Sequence, residues 1–177
     1  MPLTQWIARP LLLACLALSA VAATSDDGQG LDHTYKANPN GRFAGQDLSG
    51  ADFSYSVVSD ARFKSATLRG ATISYAVASD ASFDGADLRG ATLRYSVLTD
   101  AGFAGADCRG ADFTLSLLNN VDLSGADLRG ANFTGASLGG RFDAETLYDE
   151  TTTFPKGFDP VAMGLTGSKT RAAAREK

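Results

Sequence analysis

From residue 51 to residue 140 the chain divides into eighteen consecutive units of five residues, without an insertion. The first position is Ala in fourteen units, Ser in three and Val in one, and the third position is always apolar. Because a β-strand points alternate side chains to opposite faces, positions one and three face a core and position two faces solvent. Positions four and five are mostly polar, with Gly or Ser common at position five, which indicates a bend. Each unit is therefore predicted to be one short extended side followed by one corner.

A second period of twenty residues lies over the period of five. The stretch ATLRG at 66 to 70 returns as ADLRG at 86 to 90, ADCRG at 106 to 110 and ADLRG at 126 to 130. Four sides thus bring the chain back above itself, about 4.8 Å further along an axis. The third-position residues then form four interior columns, one of which is Phe63, Phe83, Phe103 and Leu123. The pattern predicts an all-β solenoid of about five coils over residues 41 to 138.

The units ADFSY, ADLRG, ADCRG, ADFTL and ANFTG resemble the pentapeptide-repeat family, whose consensus is A-(D/N)-L-x-x. The resemblance implies a right-handed quadrilateral β-helix, a handedness that the periodicity does not itself give. It also leaves the function open, since members share the fold while most of their functions are unassigned. The stretch TTTFPKGFDP is similar to the closing segment of cyanobacterial and chloroplast lumenal members, so Phe154 and Phe158 are expected to cover the last coil.

The two ends of the chain differ from the repeats. Residues 1 to 22 combine Arg9, an apolar run and an A-x-A triplet ending at Ala22, the pattern of a secretory signal peptide. Residues 23 to 40 are predicted to be a polar linker and N-terminal edge cap, and residues 139 to 177 a closing segment and basic tail. The protein is therefore expected to be exported, to the periplasm or the thylakoid lumen, with no membrane segment in its mature form.

The net charge and the cysteine content further limit the possible functions. Removing residues 1 to 22 takes away Arg9 and leaves 15 basic against 20 acidic residues, which is mild acidity and not a polyanion. It also leaves a single cysteine, Cys108, which stands in a leucine column and is expected to behave as a small buried hydrophobe.

Stacking makes each outward position a ladder, and one pair of ladders is apolar. We call it the apolar stripe; it consists of a corner row and the outward row two residues later, namely Tyr55, Tyr75, Tyr95, Leu115 and Val57, Val77, Val97, Leu117. A contiguous exposed apolar patch on a soluble protein usually marks an interface. Three occupants fit this pattern: the chain's own N-terminal arm or closing segment, an unidentified protein partner, or a second copy of the chain.

Two further ladders are charged. Arginines at 69, 89, 109 and 129 are flanked by Asp87, Asp107, Asp127 and Asp112, which favours an intramolecular salt ladder over binding of an anionic polymer. A corner column of Asn40, Asp60, Asp80, Asp100 and Asn120 is explained by turn-stabilising side chains, with Ca²⁺ binding as the alternative.

No enzyme signature is found. His33 is the one histidine and lies in the predicted linker, where it is expected to be solvated, and there is no nucleophile-base pair, phosphate loop or Cys/His metal spacing. We therefore expect no catalytic residue, cofactor or metal, and a non-enzymatic exported scaffold that presents the apolar stripe. The alternatives are a DNA-mimicking gyrase-binding protein, which the signal peptide and the arginine ladder disfavour, and a carbohydrate-binding envelope protein that uses the tyrosines as stacking platforms. No nucleic-acid partner is expected.

Overall fold

The computed structural model describes residues 32 to 167. The predicted signal peptide and the basic tail after residue 167 lie outside the described residues. Position-two residues pair in parallel with the residue twenty positions later, as in Asp52 with Thr72 and Val57 with Val77. Between coils, the position-two N–H donates to the position-one carbonyl of the preceding coil, for example Thr72 N to Ala51 O at 2.9 Å. The four-sided coil predicted from the two periods is confirmed.

Most sides are so short that each forms a single β-bridge. Longer strands occur only near the C-terminal end of the described coil. These are β1 (Leu117–Asp122), β2 (Ser137–Arg141), β3 (Leu147–Tyr148) and β4 (Thr166–Gly167). β1 pairs in parallel with β2, and β3 pairs in parallel with β4. No helix in the described residues is long and apolar enough to cross a membrane.

Every corner from residue 35 to residue 135 has a positive φ at position five. The position-one N–H that follows donates back to the carbonyl of position three, as in Ser56 N to Phe53 O at 3.2 Å. A positive φ at the third residue of such a four-residue turn defines type II, which favours glycine. Two corner columns accordingly consist largely of glycine, whereas the other two carry Tyr or Leu and Asn or Asp.

The core consists of the predicted columns. Phe63, Phe83 and Phe103 are fully buried and stack with centroids 4.9 Å apart in both pairs. Small position-one residues such as Ala61 are also buried, which makes room for the rings. Cys108 is buried in its leucine column, as predicted. Burial raises the pKa of its thiol far above the ordinary value, and the negative charge of nearby aspartates adds to the shift.

Coil pairing begins before residue 41, where the regular repeats begin. Asp32 pairs with Asp52 and Ala37 with Val57, so residues 32 to 40 form the N-terminal edge of the coil, and the linker part of the expectation does not apply to them. This is possible because the ladder needs only backbone groups, so units without the consensus side chains still pair.

His33 is not a solvated linker residue either. Its ring stacks on Phe53 with centroids 4.4 Å apart and meets Phe43 edge-on at 5.6 Å. His33 therefore occupies an interior column position above the first regular coil.

Side chains cap carbonyls in this first coil. Lys36 and Gln46 stand at position one, where later units have small residues. Lys36 Nζ donates to Asp32 O at 2.6 Å, and Gln46 Nε2 donates to Arg42 O at 3.0 Å. These side chains satisfy backbone acceptors that would otherwise invite another strand.

The coil also continues past residue 140, where the five-residue pattern ends. The pairing interval changes from twenty to nineteen for Asp122 with Arg141, and reaches twenty-one for Asn132 with Thr153.

Two D-x-x-T segments, which begin at Asp143 and Asp149, provide hydrogen-bond acceptors for the irregular coil. Asp143 Oδ1 accepts a hydrogen bond from Gly125 N at 2.9 Å, and Asp149 Oδ1 accepts one from Gly130 N at 3.2 Å. The carboxylates thus stand in for the backbone carbonyls of a regular coil.

An aromatic cluster covers the last coil. Phe154 stacks on Phe133 with centroids 6.0 Å apart, and Phe158 stacks on Phe154 at 4.9 Å. Phe142 and Tyr148 meet this pair edge-on. The prediction that Phe154 and Phe158 cover the last coil is confirmed.

Candidate interaction surface

A continuous stack of tyrosines forms one corner of the solenoid. Tyr35, Tyr55, Tyr75 and Tyr95, which we call the tyrosine ladder, have ring centroids separated by 5.0, 5.0 and 4.8 Å. Adjacent rings are within 8° of parallel. The backbone holds this spacing, because Tyr55 N donates to Ser74 O at 3.0 Å and Tyr75 N to Arg94 O at 2.9 Å.

The backbone at this corner is strained. Tyr55, Tyr75 and Tyr95 have φ of 58° to 59°, and Leu115 has 60°, in the region that glycine occupies at two other corners. An L-residue with a Cβ loses about 1 to 2 kcal/mol in this conformation. Since glycine would remove the cost, a bulky side chain kept here points to a role for the side chain itself.

Three serines reinforce the strained corner. Ser56, Ser96 and Ser116 are the position-one serines of the eighteen units, and each directly follows a Tyr or Leu corner. Their hydroxyls donate to position-three carbonyls at 2.7, 2.6 and 2.6 Å, so each bond closes the same turn as the backbone bond. Sequence reasoning treated these serines as small core residues, although their placement after Tyr or Leu was a visible signal.

The apolar stripe is less exposed than predicted. All eight residues are half-buried. The tyrosine rings cover one another from coil to coil. The valine row is tied by direct pairing of Val57 with Val77, Val77 with Val97, and Val97 with Leu117. Tyr35, which was not in the predicted set, is the exposed member of the ladder at 59%. The stripe thus presents ring edges and methyl groups, not whole side chains.

The ring stacking argues against the alternative that the tyrosines are stacking platforms for a carbohydrate. Binding a sugar on a stacking platform needs a free ring face, whereas Tyr55 and Tyr75 have a neighbouring ring on each side. Tyr95 has Arg94 5.7 Å from its ring centroid, and Arg94 lies 3.7 Å from Asp112. Both faces of Tyr55 and Tyr75 are therefore taken within the ladder.

The arginine ladder neutralises itself. Arg89 and Arg109 each form two hydrogen bonds to the aspartate two residues before, at 2.8 and 2.8 Å to Asp87 and 2.8 and 2.6 Å to Asp107. Arg69 binds Asp87 from the preceding coil at 2.6 Å. The hydrogen bond from Arg109 is the main reason that the pKa of Asp107 is lowered.

The predicted salt ladder is therefore confirmed, with one exception. Asp112 pairs with Arg94 at 3.7 Å and not with the arginine ladder.

The residues of the acidic corner column adopt the positive φ of a turn. Asp60, Asp80 and Asp100 have φ of 57° to 61°, a conformation that Asp and Asn tolerate well. Asn120 Nδ2 donates to Asp100 Oδ1. Among residues 32 to 167, no group of three or more His, Cys, Asp or Glu side chains is arranged to hold a metal ion.

Comparison with known proteins agrees with this geometry. The model for pentapeptide repeats matches residues 47–85, 81–120 and 106–140, which together are 94 of the 177 residues. A pentapeptide repeat protein from the Arabidopsis thaliana thylakoid lumen is 30% identical over 53% of this chain and 66% of its own, with a TM-score of 0.53. The match thus spans just under two thirds of that protein. No curated protein matches the chain.

Two other solved structures superpose less well. A pentapeptide repeat protein from Nostoc is 34% identical over 69% of this chain and 84% of its own, with a TM-score of 0.22. A trypsin-treated variant of QnrB1, a plasmid-mediated fluoroquinolone resistance protein, is 15% identical over 78% and 92%, with a TM-score of 0.35. These TM-scores are too low to carry an argument about function.

The fold and its surface define a solenoid scaffold, a right-handed quadrilateral β-helix. The chain belongs to the pentapeptide-repeat family. Members of this family are generally non-enzymatic structural or interaction proteins.

Proposed function

We propose that this protein is an exported, non-enzymatic scaffold whose apolar stripe binds a protein partner. The observation that carries the proposal is the positive φ of Tyr55, Tyr75 and Tyr95, where glycine would cost less. The solenoid does not need these side chains for its core, since its interior columns are filled by other residues. Binding by their edges and by the valine row is the use that accounts for the strain.

The surroundings of the stripe support a protein partner over a charged polymer. Beyond the valine row lie Ser59, Ser79 and Thr99, so this side carries uncharged groups up to the acidic corner column. The arginine ladder is on the opposite side of the coil and is paired with aspartates, which leaves little charge for binding a polyanion. Export is supported by the signal-peptide pattern of residues 1 to 22 and by likeness to a thylakoid lumen protein.

A matched pair of substitutions tests the proposal. Val77 and Thr67 are both half-buried position-two residues, on opposite sides of the coil, so Val77→Lys and Thr67→Lys place the same charge on the stripe and away from it. We expect Val77→Lys to abolish assembly or partner capture, measured by light scattering and by affinity purification from the source cells. Thr67→Lys should leave both unchanged. Equal behaviour of the two variants would show that the stripe is not the binding surface.

A further inference from the structure

The tyrosine ladder places each of its four phenols one coil spacing from the next. Centroid separations of 4.8 to 5.0 Å bring the carbons beside each phenol oxygen, the ortho carbons, close to their equivalents in the next ring. The rings belong to half-buried or exposed residues at a corner, so they are open to solvent at their edges. Tyr35 is 59% exposed and gives an oxidant access to the end of the ladder.

We propose that the tyrosine ladder is a site of oxidative cross-linking, in which a haem peroxidase with hydrogen peroxide joins adjacent tyrosines as dityrosine. Each of two phenols loses one electron and one proton, which gives two tyrosyl radicals with unpaired electron density at the ortho carbons. The two radicals form a C–C bond between their ortho carbons. Each ring then loses the hydrogen on that carbon as a proton, and its own phenol oxygen takes up a proton. In total two C–H bonds break, one C–C bond forms, and one hydrogen peroxide is reduced to two waters.

The backbone makes adjacent coupling the favoured outcome. The Tyr55 and Tyr75 amides are hydrogen-bonded to the next coil, and each strained turn fixes where the side chain leaves the corner. Coupling then requires only side-chain rotation, about the Cα–Cβ and Cβ–Cγ bonds of the two tyrosines, and no movement of the backbone. Tyr35 and Tyr95 are three coils apart, about 14 Å along the axis, and cannot couple in the folded protein. Tyr148 lies outside the ladder, packed edge-on against an aromatic ring of the closing segment.

A link between adjacent coils would act as an axial staple. It closes a loop of twenty residues between, for example, Tyr55 and Tyr75, and so removes conformational freedom from the unfolded chain in the manner of a disulfide. The linked protein is therefore expected to melt at a higher temperature than the unlinked protein.

The experiment treats the purified protein at low concentration with a haem peroxidase and limiting hydrogen peroxide. Trypsin separates the tyrosines well, because Tyr55 falls in peptide 43 to 62, Tyr75 in 70 to 89 and Tyr95 in 95 to 109. We expect dityrosine fluorescence, a monomer on denaturing gels, and peptide pairs that have lost two hydrogen atoms. The pairs should join Tyr35 with Tyr55, Tyr55 with Tyr75, or Tyr75 with Tyr95.

Two variants distinguish the ladder from general tyrosine reactivity. Tyr75→Phe keeps a ring in the stack and should remove both links that involve position 75 while keeping the link between Tyr35 and Tyr55. Tyr148→Phe should leave the pattern unchanged. Links between non-adjacent ladder residues, incorporation of Tyr148, products that are only intermolecular, or no dityrosine at all would each overturn the proposal.

Discussion

Replacing Phe83 by Ala tests whether the interior columns hold the coils together. Phe83 is fully buried and stacks on Phe63 and Phe103, each 4.9 Å away. Deleting a buried phenylalanine ring costs about 3 to 5 kcal/mol, through lost transfer free energy and the cavity left behind. Two ring contacts disappear with it, each worth about 0.5 to 1.5 kcal/mol beyond area burial, which places the expected cost toward the upper end of that range.

Thermal unfolding followed by circular dichroism measures this loss. For a chain of this size, about 2 to 4 °C of melting temperature corresponds to 1 kcal/mol, so Phe83→Ala should melt about 6 to 20 °C lower. Phe83→Leu is the matched control, because the same column already ends in a buried leucine, Leu123, and it should lose much less. A Phe83→Ala variant that melts within about 2 °C of the original protein would refute the column packing.

Three further predictions concern turns, acid and the buried thiol. Gly90 has φ of 64° with nothing within 4 Å of an added Cβ, so Gly90→Ala should cost about 1 to 2 kcal/mol in denaturant titrations. Gly139→Ala, also in open space but without a positive φ, is its control and should cost little, and equal losses would contradict the turn assignment. Hydrogen bonding, chiefly from the Thr151 hydroxyl, lowers the folded pKa of Asp149 below the unfolded value of 3.8. Its contribution to stability is therefore present above that value and is lost as pH falls through the lower folded pKa. Cys108 should resist iodoacetamide in the folded protein and react fully once unfolded, read by mass spectrometry of its peptide; ready labelling of the folded protein would contradict its burial.

The acid prediction is checked by urea titrations at a series of pH values, in which the free energy of unfolding should fall progressively below about pH 4. The lowered pKa values of Asp149 and Asp107 set that window. A free energy of unfolding that stays constant from neutral pH to well below pH 4 would contradict the role of these hydrogen bonds.

The regular part of the fold could be predicted from the sequence because each unit repeats the same pattern of residue types. A small residue, an apolar residue and a turn residue at fixed spacing leave one arrangement that buries positions one and three of each unit. Phe63, Leu88 and Ile73 are buried where the columns required. The salt ladder followed for the same reason, since residues twenty apart become neighbours once the coil is accepted.

The pairing at the two ends could not be predicted in this way, because it depends on backbone groups and single side chains, although the aromatic cover of the last coil was predicted. His33 enters the interior column without being apolar, and the D-x-x-T segments at Asp143 and Asp149 keep the coil going after the repeat has stopped. Neither leaves a periodic signal. The residues of the apolar stripe do stack and pair from coil to coil as expected. Their exposure was overestimated because the stacking of each row on itself was not counted.

The turn conformation added what the sequence pattern did not contain. Position five accepts Gly, Ser, Asn, Asp, Tyr and Leu in this chain, and only the positive φ shows that Tyr and Leu are the costly choices. That contrast makes the tyrosine corner the feature of the surface most in need of a functional explanation.

The most direct test of the stripe as a binding surface is site-specific photo-crosslinking in the source cells. A photoreactive amino acid is placed at Val77, on the stripe, or at Thr67, on the opposite side of the solenoid. We expect a discrete adduct, with a partner protein or a second copy of the chain, at position 77 and none at position 67. Adducts at position 67 alone, or none at position 77, would contradict the proposed surface.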